Sequence, residues 1–257
     1  MKPVHAVPAA AIKPVGALQP LNWLAAGWRD LARCPLPGLA HGAALSTFGA
    51  VLLMLAGQEF WLLAGAFSGF LLVAPVLATG LYAVSRALER GERANLATAL
   101  SAWRPHDGRL VAFGALLALA GTGWVLTSAS LITGFASAPV AGPQDFLRIV
   151  VLSETSHLFE VWLVLGGVLA APVFASSVIA MPMLLDRKVS VLAAVLTSWR
   201  AVIEHPGALA IWAALIMVLT AVGMATALIG LVVVVPWLAH ASWHAYRDLV
   251  DITGLPE

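Results

Sequence analysis

His240 and His244 stand four residues apart, with Trp237 and Arg247 on the same helical stripe. Two imidazoles one turn apart lie about 6 Å from each other on one face, close enough to share a metal ion. They cannot be the two axial ligands of one haem, which approach the iron from opposite faces. No Glu follows His240, so the zinc-protease pattern is absent, and no third ligand is obvious beside the pair. His240 and His244, with His41 as a further group, are therefore candidates for a metal or haem site. The plainer reading makes the two rings structural, their nitrogens bonded to neighbouring helices near a membrane interface. His157 and Glu160 stand together further along, and Glu59 falls in a short connection. No acid or base falls at the centre of an apolar stretch, where an ionisable group would mark a pathway. The expectation is a protein that is not an enzyme and holds no cofactor and no metal.

Pro75, Pro172 and Pro236 each sit inside an apolar, helix-forming run. Proline inside a helix frees the carbonyl four residues earlier and kinks the rod. One reading makes them helix breaks at a midplane binding site, as in transporters; the other makes them kinks that shape a bundle. Four residues after each stands a polar residue, Thr79, Ser176 or His240, and Ser or Thr there can bond back to its own helix.

The elements that must carry these residues are set by composition. The chain has 257 residues, 61% hydrophobic and only 11% charged, with a mean hydropathy of +0.92. A soluble domain carries about 25% charged residues, so this is an integral membrane protein. A net charge of +1 speaks against a nucleic-acid surface. Cys34 is the single cysteine, which excludes an intrachain disulfide framework and a cysteine zinc site. Six stretches reach the roughly 20 apolar residues of a span: approximately 38–56, 60–84, 110–133, 158–185, 208–225 and 228–245. The last two are divided by a turn near Ala225 to Ala227. Of the 14 Lys and Arg residues, 13 fall before the first stretch, after the second, fourth and sixth, or at their edges, and only Arg148 falls on the other side. The positive-inside rule then puts both termini in the cytoplasm.

A second element recurs before each odd stretch: Leu21, Leu24 and Trp28 before Arg29; Leu96, Leu100 and Trp103 before Arg104; Leu192, Leu196 and Trp199 before Arg200. Apolar residues at that spacing make one face of a helix. The expectation is three short cytoplasmic interfacial helices, with Trp at headgroup depth and Arg reaching phosphate. The fold class is therefore all-α: a disordered cytoplasmic tail over 1–20, then one membrane domain over 21–257. That domain has six transmembrane helices as three parallel hairpin repeats, about 21–95, 96–190 and 191–250. Between the third and fourth stretches, Phe146, Leu147, Val150 and Val151 form an amphipathic turn or two in the one long outer loop, roughly 134–156.

Three blocks carry a family resemblance: Gly69 to Pro75 continuing through Gly80-Leu81-Tyr82 and Ser85-Arg86 to Glu92; Ser176 to Arg187; and Pro236 with His240 and Trp243-His244-Ala245-Tyr246-Arg247. Together they resemble a bacterial integral-membrane family catalogued as domain of unknown function 2189, over nearly everything after residue 20. The third block has Ala239 where Gly is expected before the histidine. Some relatives carry the label of a cytochrome c oxidase subunit. The resemblance implies a multi-pass protein of the bacterial inner membrane, in contact with membrane lipids. It also implies association with other membrane subunits of a respiratory complex. The leading expectation is a non-catalytic accessory or assembly subunit of such a complex. The alternatives are a small-molecule or lipid transporter, and a haem- or metal-binding membrane protein.

The charge distribution makes a topology prediction. Reporters fused after Glu92, Lys188 and Glu257 should read cytoplasmic, and one inserted near Gly142 should read outer. An outer signal at Glu257 would sink the even span count.

Overall fold

The structure is a computed structural model that describes residues 10–55, 76–102, 108–154 and 156–256. It is all-α. In chain order the helices are α1 (Gln19–Arg33), α2 (Pro35–Leu55), α3 (Thr79–Glu89), α4 (Leu96–Ser101), α5 (Gly108–Phe135), α6 (Leu158–Ser177), α7 (Ala180–Asp186), α8 (Val191–Glu204), α9 (Pro206–Ala225) and α10 (Leu231–Leu249). A short helical turn at Pro143–Asp145 leads into a π-helical turn at Phe146–Val151, between α5 and α6.

Among the described residues, four stretches are long and apolar enough to cross a membrane: Pro35–Met54, Gly108–Phe135, Leu158–Asp186 and Pro206–Ala225. Most of the second expected span, with Pro75, lies outside the described residues, as do Trp103 and Arg104. The sixth expected span is a helix, α10, but it is more polar than the four because it ends in His240, His244, Arg247 and Asp248. Between α9 and α10 the chain turns through Ala227 and Leu228, both at positive φ. Non-glycine residues there cost roughly 1–2 kcal/mol. The Thr226 hydroxyl offsets this by donating to the Gly223 carbonyl at 2.8 Å and accepting the Gly230 N–H at 2.9 Å. The last apolar stretches could also have run as one long final helix in a five-span chain, and this turn excludes it.

The chain divides into two compact units. The first comprises Met1–Ser46, Pro75–Gly114 and Phe174–Glu257. In it α1 and the first half of α2 run antiparallel along α10. A Cβ on Gly27 would come within 2.5 Å of the Ala241 backbone nitrogen, so α1 touches α10 backbone to backbone. Higher up, Gly42 lies against the Val232 carbonyl, where a Cβ would overlap it. That carbonyl is the one Pro236, having no N–H, leaves without its helical partner. Ser46 then donates to the Leu228 carbonyl at 2.9 Å, so the α9–α10 turn packs midway along α2. Lipid provides no hydrophobic drive for pairing helices, so close backbone approach and polar contacts substitute for it.

Two expectations are corrected here. Pro172 and Pro236 lie inside α6 and α10, which continue through them. The interruption of the fourth span falls instead at Val178–Ile179, between α6 and α7. That is four residues before Pro182, whose ring excludes the normal bond to the Val178 carbonyl. Ser198 of α8 accepts the Ile179 N–H at 3.1 Å. Residues 10–20, expected within a disordered tail, are ordered. Ile12 forms an antiparallel bridge with Val250, Lys13 N–H donates to the Leu249 carbonyl at 2.8 Å, and Asp251 N–H to the Ala11 carbonyl at 2.9 Å. The C-terminal end of α10 has unpaired backbone carbonyls, and the N-terminal strand supplies them with donors.

The second unit comprises Thr47–Ala74 and Ala115–Val173. Ile132, Val140, Val150 and Leu158 form its buried cluster, with Phe146, Ile149, Phe159 and Trp162 packed around it. Val150 thus faces inward from the amphipathic turn. The Trp162 indole donates to Ser128 at 2.8 Å, and Trp124 packs edgewise into the space left at Gly166.

The glycine contacts predict stability. Gly27→Ala and Gly42→Ala should each lower the melting midpoint of the detergent-solubilised protein, by overpacking worth about 1–3 kcal/mol. Gly123→Ala, with open space around its added methyl, should leave the midpoint unchanged or slightly raised.

Candidate functional site

The titratable side chains of the first unit gather where α1, α3, α7 and α10 end or cross. Asp30 is on the inner face of α1 with Trp23, Gly27 and Leu31, and is 5% exposed. Its Oδ2 accepts the Ser85 hydroxyl at 2.7 Å and the His244 Nε2–H at 2.8 Å. His240, fully buried, contacts Ser85 Oγ through Nδ1 at 2.7 Å. Since the Ser85 proton is directed to the carboxylate, Nδ1 of His240 is the donor in that contact, an assignment made from the network. A neutral ring then presents its Nε2 lone pair to the interior, and that atom has no partner among the described residues. The order is therefore His244 to Asp30 to Ser85 to His240, leading inward from the half-buried end of α10.

The Asp30 carboxyl is held below the ordinary value of 3.8: burial pushes it up, but the hydrogen bonds from His244 and Ser85 and the nearby imidazoles pull it down further. A buried carboxylate that loses its donors is costly, so these partners are what make its position possible.

Beside this chain lies a second network centred on Asp186. Its Oδ2 accepts the Tyr246 hydroxyl at 2.9 Å and Arg187 Nε–H at 3.1 Å. The guanidinium groups of Arg90 and Arg247 stand 3.9 Å from its oxygens. Burial, together with the negative Asp186, pushes the Tyr246 phenol well above its usual range. Glu89 accepts the Trp243 indole at 2.9 Å and Arg247 Nε–H at 2.8 Å. Arg86 donates to the Leu185 carbonyl at 2.8 Å. In the sequence Asp186 adjoins Arg187, and Glu89 stands beside Arg86 and Arg90, which reads most simply as solvated interfacial pairs worth at most about 1 kcal/mol. The structure corrects this: Asp186 and Arg187 are buried, and Glu89 reaches across to α10.

The candidate pair of histidines is thus placed on one carboxylate, His244 directly and His240 through Ser85. Among the described residues no group of three or more His, Cys, Asp or Glu side chains is arranged to hold a metal ion. His41 is turned to the Pro37 carbonyl, with its Nδ1 at 2.9 Å.

The interfacial residues fall on a different face. Trp28 and Trp199 are 49% and 39% exposed, alongside exposed Leu21 on α1 and exposed Leu192, Leu196 and Ile203 on α8. Leu24 departs from the expected stripe and is buried. Each helix is two-sided: α8 packs through Ala193, Ala194, Thr197, Ser198 and Ala201 and leaves its large apolar side chains outward. Trp28 also meets Trp237 edge to face at 5.4 Å, and the Trp199 indole donates to Ser176 at 2.9 Å. Arg29 is exposed, and Arg200 pairs with Glu204 at 3.3 Å.

Asp30 and Ser85 are the functional residues the sequence reading missed. The available signal was an acid at position seven after Trp23 and three after Gly27, on the stripe that α1 buries.

If the Asp30 network holds this unit together, Asp30→Ala should cost about 3 kcal/mol, because it strands Ser85 and the imidazoles. The sign of the pH effect follows from the lowered value. The Asp30 contribution is complete above about pH 4 and is lost as pH falls through the folded-state value. Melting midpoints measured across acidic pH should show that fall in the native protein, and a shallower one in Asp30→Ala.

No curated protein and no solved structure matches the chain. Residues 62–186, just under half of the chain, match a family described as "Predicted integral membrane protein (DUF2189)". The matched stretch takes in Ser85, Arg86, Glu89, Arg90, Asp186 and the apolar helices α5 and α6. Over residues 62–186 the chain is therefore similar to the DUF2189 family of integral membrane proteins.

Proposed function

We propose that this protein is a non-catalytic accessory or assembly subunit of a larger complex in the bacterial inner membrane, a respiratory oxidase of the cytochrome c oxidase type. The observation that carries the reading is the way its ionisable groups are used. Asp30, Ser85, His244, Asp186, Tyr246, Glu89 and Arg247 bond to one another across α1, α3, α7 and α10, so their chemistry holds helices in place. The outward stripes of α1 and α8, with Trp28 and Trp199, suit headgroup depth in the lipid that such a subunit lives in.

The proposal includes six crossings with both termini cytoplasmic. Contacts between the ends of successive hairpins support it. Cys34, before α2, reaches the Ala94 carbonyl after α3 at 3.4 Å. Arg109, at the start of α5, donates to the Val189 carbonyl after α7 at 2.6 Å. His205, before α9, contacts the Lys13 carbonyl at 3.1 Å, and Ile12 pairs with Val250 after α10. A chain whose entry and exit meet at one level crosses an even number of times. The three exits also converge, since Arg86, Arg187 and Arg247 end the second span, the fourth span and α10. That is what three hairpin repeats about a common axis along the membrane normal would produce.

A second reading rests on one atom. The buried Nε2 of His240 has no partner among the described residues, and a haem or metal bound there would give it one.

The test is purification of the tagged full chain in a gentle detergent from its own membranes. Oxidase subunits should co-elute in constant ratio, with their haem absorbance, and deletion of the gene should lower assembled oxidase several-fold. Haem that stays with the isolated chain, and is lost in His240→Gln, would favour the second reading. Elution as a lone chain with unaltered oxidase levels would overturn the first.

A further inference from the structure

The interruption of the fourth span is held from outside that span. At Val178–Ile179 the Ile179 N–H leaves the helical ladder for Ser198 Oγ of α8 at 3.1 Å. Ile179 and Ser198 are both fully buried, so an N–H that lost this acceptor would be stranded away from water, which is costly. The same turn of α8 carries three more ties. Trp199 donates its indole to Ser176 at 2.9 Å, Thr197 Oγ1 accepts the Ala10 N–H at 3.0 Å, and Arg200 donates to the Ala10 carbonyl at 3.4 Å. One turn of one helix thus fixes the interruption and the N-terminal strand together. The opposite side of α8 is apolar and faces outward: Leu192, Leu196 and Ile203 are 67%, 49% and 70% exposed.

What covers that outward stripe follows from connectivity. α8 has 14 residues, about 21 Å of helix. It lies between Asp186, where one apolar stretch ends, and Pro206, where the next begins, and only Arg187–Ser190 and His205 link it to them. When both stretches cross a bilayer, that exit and that entry share one side at headgroup level. A helix held at both ends there lies along the surface. Its apolar stripe then seats at the boundary of headgroups and acyl chains, to a depth that depends on lipid packing. We infer that α8 is a splint worked by the bilayer surface: lipid seats its outer stripe, and the seated helix holds Ser198 on the Ile179 N–H. The inference rests on the membrane reading and adds to it a regulatory contact. Through it, lipid packing at the surface sets how firmly the interruption of the fourth span is held.

Amide hydrogen exchange of the full-length protein in phosphatidylcholine vesicles, resolved at Ile179, tests this. Ser198→Ala should speed Ile179 exchange about tenfold in any lipid and identifies the reporter amide. Leu192→Ser with Leu196→Ser and Ile203→Ser changes only the outward stripe, and should speed Ile179 exchange about tenfold while the α10 amides keep their rates. Ile203→Ser alone should give about a threefold rise and serves if the triple variant does not fold. Replacing part of the phosphatidylcholine by phosphatidylethanolamine of the same acyl chains opens the headgroup level. That should slow Ile179 exchange in the native protein and leave the triple variant unchanged. A nitroxide on Leu192→Cys, in a Cys34→Ser background, should be relaxed by lipid-soluble oxygen rather than by an aqueous nickel chelate. Native exchange at Ile179 in the stripe variants would overturn the proposal, as would an equal rise across the α10 amides. A nitroxide in bulk water on a chain that floats with the vesicles would overturn it too. A chain that does not float with them would sink the membrane reading itself, which is a distinguishable result.

Discussion

The Asp30 carboxylate is the constraint on which the first unit depends. It stands on the buried face of α1, and its charge is tolerable only because Ser85 of α3 and His244 of α10 both donate to it. Three helices far apart in sequence thereby meet at one oxygen, Oδ2 of Asp30. The same requirement sets the tautomer of His240, which must give its proton to a serine whose own proton is already committed. A carboxylate in such a place specifies which helices meet more than it adds stability, because the desolvation it suffers is large.

Around that point the backbone does the rest. Gly27 and Gly42 let α1 and α2 lie directly on α10, and Pro236 presents the Val232 carbonyl to Gly42. The three helix exits then share Asp186 and Glu89, so that among the described residues these two acids and Tyr246 tie the basic helix ends together. Lipid tails compete with nothing in these contacts, which is why they are polar or small where a soluble bundle would use leucine.

The second unit is built on the opposite plan. Its core of Ile132, Val140, Val150 and Leu158 is apolar and is closed by Trp162, whose indole finds Ser128. The Phe146–Val151 turn covers the cluster, and its π-helical geometry aims Val150 inward while Leu147 and Leu152 stay outside. Chemistry is concentrated in the first unit, and this difference makes the helix-end cluster, rather than the Phe146–Val151 turn, the place to look for a ligand or a partner.

Sequence alone determined the class. An apolar excess of this size leaves no soluble alternative, the lengths of the four described spans follow from bilayer thickness, and the two-sided helices carrying Trp28 and Trp199 follow from 3.6-residue spacing. The break between α9 and α10 was also legible, since a single rod would be about twice too long for a membrane. What only the tertiary structure decided is who pairs with whom. Helical spacing shows that His240 and His244 share a face, but not that Asp30 and Ser85, more than 150 positions away, occupy the same point. Nearest-neighbour reasoning paired Glu89 with Arg86 or Arg90 and left Asp186 in solvent. Packing carried Glu89 to Arg247 and buried Asp186 instead, because charges in a low-dielectric site are placed by the helices that carry them. Pro172 likewise offered a break in the fourth span, whereas the interruption lies before Pro182, where Ser198 of another helix stands ready to take the freed N–H. A periodic pattern reports the face of one helix. The partner of that face is set by close approach between segments distant in sequence, and no local spacing encodes it.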